Sequence, residues 1–168
     1  MDAEHLKAAQ KPLKDQYRED GNLAVKTLKA TGAIEPGIVC RLQAEGGMVD
    51  AGLHPAAGGD DEAACSGDML LQSLVACSGV TLSAVSTAMG IPLESAEITA
   101  EGDLDFRGTL GVSKEVPIGF AAIRLRFDIK SKASDEQIAT LQKLTERYCV
   151  IFQTIQQPME IAVKTVRS

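Results

Sequence analysis

Positive charge is in short supply: 17 lysines and arginines stand against 23 aspartates and glutamates, for a net charge of −6. The basic footprint of a nucleic-acid or anionic-membrane binder is therefore missing, and the expected partners are small molecules or protein. Cysteines number four and are widely separated, too sparse for a small disulfide-stapled secreted scaffold. Tryptophan is absent, and the aromatics amount to four Phe and two Tyr. An apolar leader is missing too, since MDAEHLKAAQKPLKDQYRED has no h-region; neither a signal peptide nor a membrane anchor is expected there. The longest nearly uncharged stretch, residues 69–92, carries Gln72, Ser73, Ser78, Gly79, Thr81, Ser83, Ser86 and Thr87. That content suits a buried helix better than a span in lipid. What remains is a chain of 168 residues, one ordinary domain over 1–168, long enough to build a core without staples and expected in the cytoplasm.

Residues 3–20 read as a polar helix, with Pro12 suited to a first turn and Gly21 to its end, so that 1–21 form a helical N-terminal arm. From Leu23 to His54, short Val/Ile/Leu runs are punctuated by Gly32, Pro36-Gly37 and Gly46-Gly47, the pattern of three antiparallel strands. A loop, HPAAGGDDEAACSG, then leads into a helix that Ser66 can cap, with Asp68 in its first turn and Gly90 and Pro92 at its end. This helix, residues 68–89, is apolar or small on nearly every side and should be central. Ser73, Ala76, Ser78, Gly79 and Ala84 let another backbone come close.

Residues 97–106 and 118–130 read as strands; in the second, Ile123, Leu125, Phe127 and Ile129 alternate with Arg124, Arg126, Asp128 and Lys130. Ser134 and Gln137 spell a capping box, after which Ile138, Leu141, Leu144 and Tyr148 follow at helical spacing. The helix continues or restarts after Arg147, is stopped by Pro158, and a last strand over 159–166 is expected from the alternation of Met159, Ile161 and Val163. The order is β-β-β-α-β-β-α-β, an α+β domain with antiparallel sheets around a long central helix.

No two cysteines form a close C-x₂₋₄-C pair and neither histidine stands near one, so a structural zinc site is not expected. Phosphate-loop, dinucleotide and G-x-S-x-G signatures are absent. Cys40 alternates with Ile38 and Leu42 on one strand face and reads as core, whereas Cys65 lies in a loop. Cys77, between Ala76 and Ser78, is either a small buried hydrophobe or a reactive thiol. Cys149 either packs beside Tyr148 and Val150 or is activated by Arg147, a cation of the kind that lowers a thiol pKa.

Residues 53–90 resemble the OsmC/Ohr family of organic hydroperoxide reductases, in which a loop precedes a helix of the form acidic-x-L-L-x-A-L-x-x-C. Asp68, Leu70, Leu71, Leu74 and Cys77 match that helix, and Arg147-Tyr148-Cys149-Val150 matches the place of the family's second cysteine. The resemblance implies that Cys77 is the peroxidatic thiolate and Cys149 the resolving thiol. It implies an organic hydroperoxide substrate, a Cys77 sulfenic acid, a Cys77–Cys149 disulfide and an external dithiol reductant of lipoyl type. No metal, flavin or haem cofactor is implied. Family members also place an arginine from the N-terminal strands, held by an acidic residue near the start of the central helix, beside the thiolate. The turn Thr31-Gly32-Ala33-Ile34-Glu35-Pro36 holds none, which leaves Arg41 and Arg18 as candidates, Asp68 as the acidic partner and His54 as a further polar group at the substrate. An intertwined homodimer, with the N-terminal arm wrapping its partner, is the implied assembly. The alternatives are a slow small-ligand-binding or stress-associated protein on the same fold, and a purely structural dimer module.

Overall fold

The computed structural model describes residues 1–44 and 47–167. Helix α1, Ala3–Glu19, is capped by Asp2, whose carboxylate accepts from the His5 N–H at 2.9 Å; it buries none of its residues. Pro12 lies inside this helix rather than in a first turn.

Three strands follow: β1 Gly32–Glu35, β2 Val39–Ala44 and β3 Gly47–Gly52. They pair antiparallel in chain order, with Ile34 opposite Cys40 and Arg41 opposite Asp50. Gly46, half of the expected Gly46-Gly47 turn, lies outside the described residues. The expected loop after His54 contains one short strand, β4 Ala64–Cys65, which pairs parallel to β3 and makes the first sheet four-stranded. Cys40 is half-buried in this sheet rather than sealed in a core.

Helix α2, Ser66–Met89, ends at Gly90, whose φ of 65° is the left-handed conformation that glycine adopts without strain. Its N-cap is Cys65 rather than Ser66, and no side chain caps it. Strand β5, Ser95–Leu104, pairs antiparallel with β6, Phe120–Lys130, to form a separate two-stranded sheet. Phe106 does not extend β5. Asp105 accepts from the Arg107 N–H and turns the chain into a short helix, α3 Phe106–Thr109. The capping box forms at Ser134: its hydroxyl accepts from the Gln137 N–H at 3.3 Å, while the Gln137 side chain accepts from the Ser134 N–H at 3.0 Å. Helices α4, Asp135–Tyr148, and α5, Val150–Gln156, follow, broken at Cys149.

The core lies where α2 meets α4. Leu74, Ser78, Leu82 and Ser86, spaced one turn apart, form the buried stripe of α2. Leu141, Thr145 and Cys149 bury the facing side. Small Ser78 lets the two helices approach closely. By length and composition α2 is apolar enough to cross a membrane; here it packs on β5, α4 and α5. Only this one stripe is fully buried within a single chain, so the helix is less enclosed than its all-round apolar composition suggested. Val80 on the opposite side is 72% exposed.

The expected strand over 159–166 does not form. The alternation is present, but a strand needs an edge to pair with, and the segment has no backbone partner among the described residues. Ile161 and Val163 stand 77% and 87% exposed.

Candidate active site

Cys149 occupies the single non-helical residue between α4 and α5, at φ −73° and ψ 109°. Its N–H donates to the Thr145 carbonyl and its carbonyl accepts from the Gln153 N–H, so both helices fix its position. Only 1% exposed, its sulfur lies 3.4 Å from the hydroxyl of Ser78, the residue next to Cys77 on α2. All four cysteines are free thiols in this structure, and Cys149 lies close enough to Cys77 to help lower its thiol.

The break supplies more than position. The first N–H groups of any helix have no acceptor within it, and those of Val150 and Ile151 point to the Cys77 sulfur. Burial pushes the Cys77 thiol up; the Ile151 N–H, the Cys149 thiol, the Val150 N–H and the Thr81 hydroxyl together outweigh it and hold the thiol below its ordinary value. Thr81, one turn along α2, donates its hydroxyl to the Cys77 carbonyl at 2.8 Å. Chemically, this is a half-buried thiol held below its ordinary value with a second thiol nearby, the arrangement a two-cysteine redox cycle requires. Sequence reasoning passed over Thr81, Ser78 and the two amides. The hydroxyls had a signal, since Ser78 adjoins Cys77 and Thr81 lies one turn further on, but backbone donors are not written in residue type.

The other candidates lie elsewhere. Arg41 donates from Nε and Nη2 to the two oxygens of Asp50, at 2.8 and 2.9 Å, and stands 3.6 Å from Glu35, so its charge is held by its own hairpin. Arg18 pairs with Asp15 on the exposed arm. Asp68 and His54 share a cavity of about 350 Å³ with Cys65, Leu71, Phe106 and Phe120 at the start of α2. His54 stacks on Phe106 at 4.9 Å, and its Nδ1 accepts from the Ala56 N–H. Asp68 lies two and a half turns from Cys77, about 13 Å along the helix axis. The structure thus brings Cys77 to Cys149 and Asp68 to His54, but does not join the two pairs within one chain.

With the fold and thiol pair in place, comparison with known proteins is decisive. The family model for OsmC-like protein matches residues 59–164, which include both Cys77 and Cys149. The chain belongs to the OsmC-like family. Solved OsmC-like structures share its fold at low identity. An OsmC-like protein from Mycoplasma pneumoniae superposes with a TM-score of 0.66 at 17% identity, over 78% of this chain and 88% of that one. An organic hydroperoxide resistance protein OsmC from Legionella pneumophila gives 0.62 at 18%, over 79% and 90%. One from Elizabethkingia anophelis gives 0.62 at 16%, over 79% and 89%. None of the curated proteins matches the chain in sequence.

Proposed function

We propose that this OsmC-like protein is a cytoplasmic thiol peroxidase that reduces organic hydroperoxides to alcohols. The observation that carries the reading is the placing of the buried Cys149 thiol against Ser78, next to Cys77, whose own thiol is lowered. The Cys77 thiolate attacks the distal oxygen of the hydroperoxide; the O–O bond breaks, and the departing alkoxide takes a proton and leaves as alcohol. Cys77 is left as a sulfenic acid. The Cys149 sulfur attacks it, water departs and a Cys77–Cys149 disulfide forms. An external dithiol, of the lipoyl type implied by the family, returns both cysteines to thiols by exchange. The electrons pass through sulfur at every step, so the cycle calls for no cofactor.

A homodimer belongs to this reading. The exposed side of α2, with Ser73, Ala76, Val80 and Ser83, is small or apolar and carries no charge. The unpaired segment after Pro158 also presents Met159, Ile161 and Val163 to solvent. A second copy covering these surfaces would remove both exposures.

Stopped-flow consumption of cumene hydroperoxide with a dithiol tests the activity: Cys77→Ser should abolish it, and a Cys77→Ser protein as active as the parent would refute the reading. A second reading, a slow ligand-binding protein on this fold, is favoured by one observation, the engagement of Arg41 with Asp50 and Glu35. A peroxide rate no higher than that of a free thiol, with both cysteines still reduced, would select it.

A further inference from the structure

Ser78 lies in the buried stripe of α2, with 0% exposure. The close approach of α2 to α4 accounts for a small side chain there. It does not account for a hydroxyl, since alanine is as small, favours a helix more and brings no polar group into the core. Other hydroxyls of these two helices return their proton to their own backbone, the usual bond of serine and threonine inside a helix. Thr81 donates to the Cys77 carbonyl, Ser86 to the Ser83 carbonyl, Thr140 to the Glu136 carbonyl and Thr145 to the Leu141 carbonyl, at 2.8–3.0 Å. Ser78 departs from this habit: among the described residues, the partner of its hydroxyl is the Cys149 sulfur.

The main chain of Cys149 is fixed from the α4–α5 side, by Thr145 and Gln153. Ser78 holds its sulfur from the α2 side, one residue from Cys77. Of the two groups the hydroxyl is the stronger donor. When Cys149 attacks, charge develops on a sulfur that is only 1% exposed, where water does not reach to stabilise it. A buried charge needs a hydrogen-bond donor in place of that water.

We infer that Ser78 is a positioning residue for the resolving thiol: its hydroxyl donates to the Cys149 sulfur, holds that sulfur beside Cys77 and stabilises the charge it carries as it attacks. The inference rests on the Cys77–Cys149 disulfide of the proposed cycle. In balance, the sulfur–sulfur bond forms as the S–O bond of the Cys77 sulfenic acid breaks. The Cys149 proton goes to the departing hydroxide, which leaves as water. Ser78 keeps its own proton throughout and is not consumed.

The test follows resolution apart from peroxide attack. Under single turnover with cumene hydroperoxide, alcohol release reports the first step. Loss of dimedone-trappable Cys77, with appearance of the Cys77–Cys149 disulfide by mass measurement, reports the second. Ser78→Ala should leave the first step nearly unchanged and slow the second roughly tenfold, the worth of one hydrogen bond to a charged group. Ser86→Ala removes another buried hydroxyl from the same stripe, one bonded to its own backbone, and should slow neither. The infrared S–H stretch that Cys149→Ser removes should shift in Ser78→Ala and stay in place in Ser86→Ala. A second arm forms the disulfide with diamide, whose N=N bond takes up the Cys77 sulfur and whose hydrazine departs when Cys149 attacks. Ser78→Ala should prolong that Cys77 adduct as well. Parental resolution in Ser78→Ala, equal slowing by Ser86→Ala, an unmoved S–H band, or failure of diamide to link Cys77 to Cys149 in the parent would overturn the inference. A protein in which Ser78→Ala slows the diamide arm, but which ignores cumene hydroperoxide, would refute the peroxidase reading instead.

Discussion

The Cys149 sulfur lies 3.4 Å from the hydroxyl of Ser78, the neighbour of Cys77 on α2, at the break between α4 and α5 whose Val150 and Ile151 amides favour the Cys77 thiolate. One interruption of a helix thus brings the second thiol to the first and supplies the donors that favour its thiolate.

The first prediction concerns pH. Because the thiolate is the reactive form, the peroxide rate should rise with pH and reach half its plateau below about 8.5, the ordinary thiol value. Thr81→Val removes one donor and should move that midpoint upward. The sign for stability follows: a lowered thiol stabilises the fold fully above the ordinary value, and that contribution is lost as pH falls through the lowered one. A rate midpoint at or above the free-thiol value would contradict the donor geometry.

Cys149→Ser separates the two half-reactions. Its first turnover with hydroperoxide should release alcohol at the parent rate, leave Cys77 as a sulfenic acid that a dimedone-type reagent traps, and then stop. Mass measurement of the trapped peptide checks it; continued turnover would deny Cys149 its resolving role.

Stability should depend on the α2–α4 contact. Leu141 is fully enclosed, with 0% exposure, so Leu141→Ala should cost about 2–5 kcal/mol in denaturant unfolding. By contrast, Arg41→Gln breaks a half-exposed pair in the N-terminal sheet and should leave the unfolding midpoint nearly unchanged.

Assembly is tested at Val80. If a second copy covers the open side of α2, light scattering should report a dimer for the parent and a monomer for Val80→Glu, the fold of each chain being retained because this side chain is already exposed in one chain. A monomeric parent, or a dimer unaffected by the substitution, would place the interface elsewhere or remove it.

Much of the fold was legible because its signals are local. The Ser134–Gln137 capping box, the period-two run of β6 and the glycine that ends α2 each depend on a few neighbouring residues. Where pairing decides, local pattern misleads: 159–166 alternates as a strand does, yet among the described residues no edge receives it. Asp105 ended β5 early through a side-chain bond that competes with the ladder. At the site, the two cysteines could be assigned from the resemblance of their segments to a known family. The fate of Arg41 could not, because its capture by Asp50 follows from a cross-strand register that appears only once β2 and β3 are paired.

The most direct test is mass spectrometry of tryptic peptides after mild treatment with an organic hydroperoxide. A Cys77–Cys149 cross-link, with Cys40 and Cys65 still free, is the predicted result. A link through Cys40 or Cys65, or four thiols still reduced, would contradict the account.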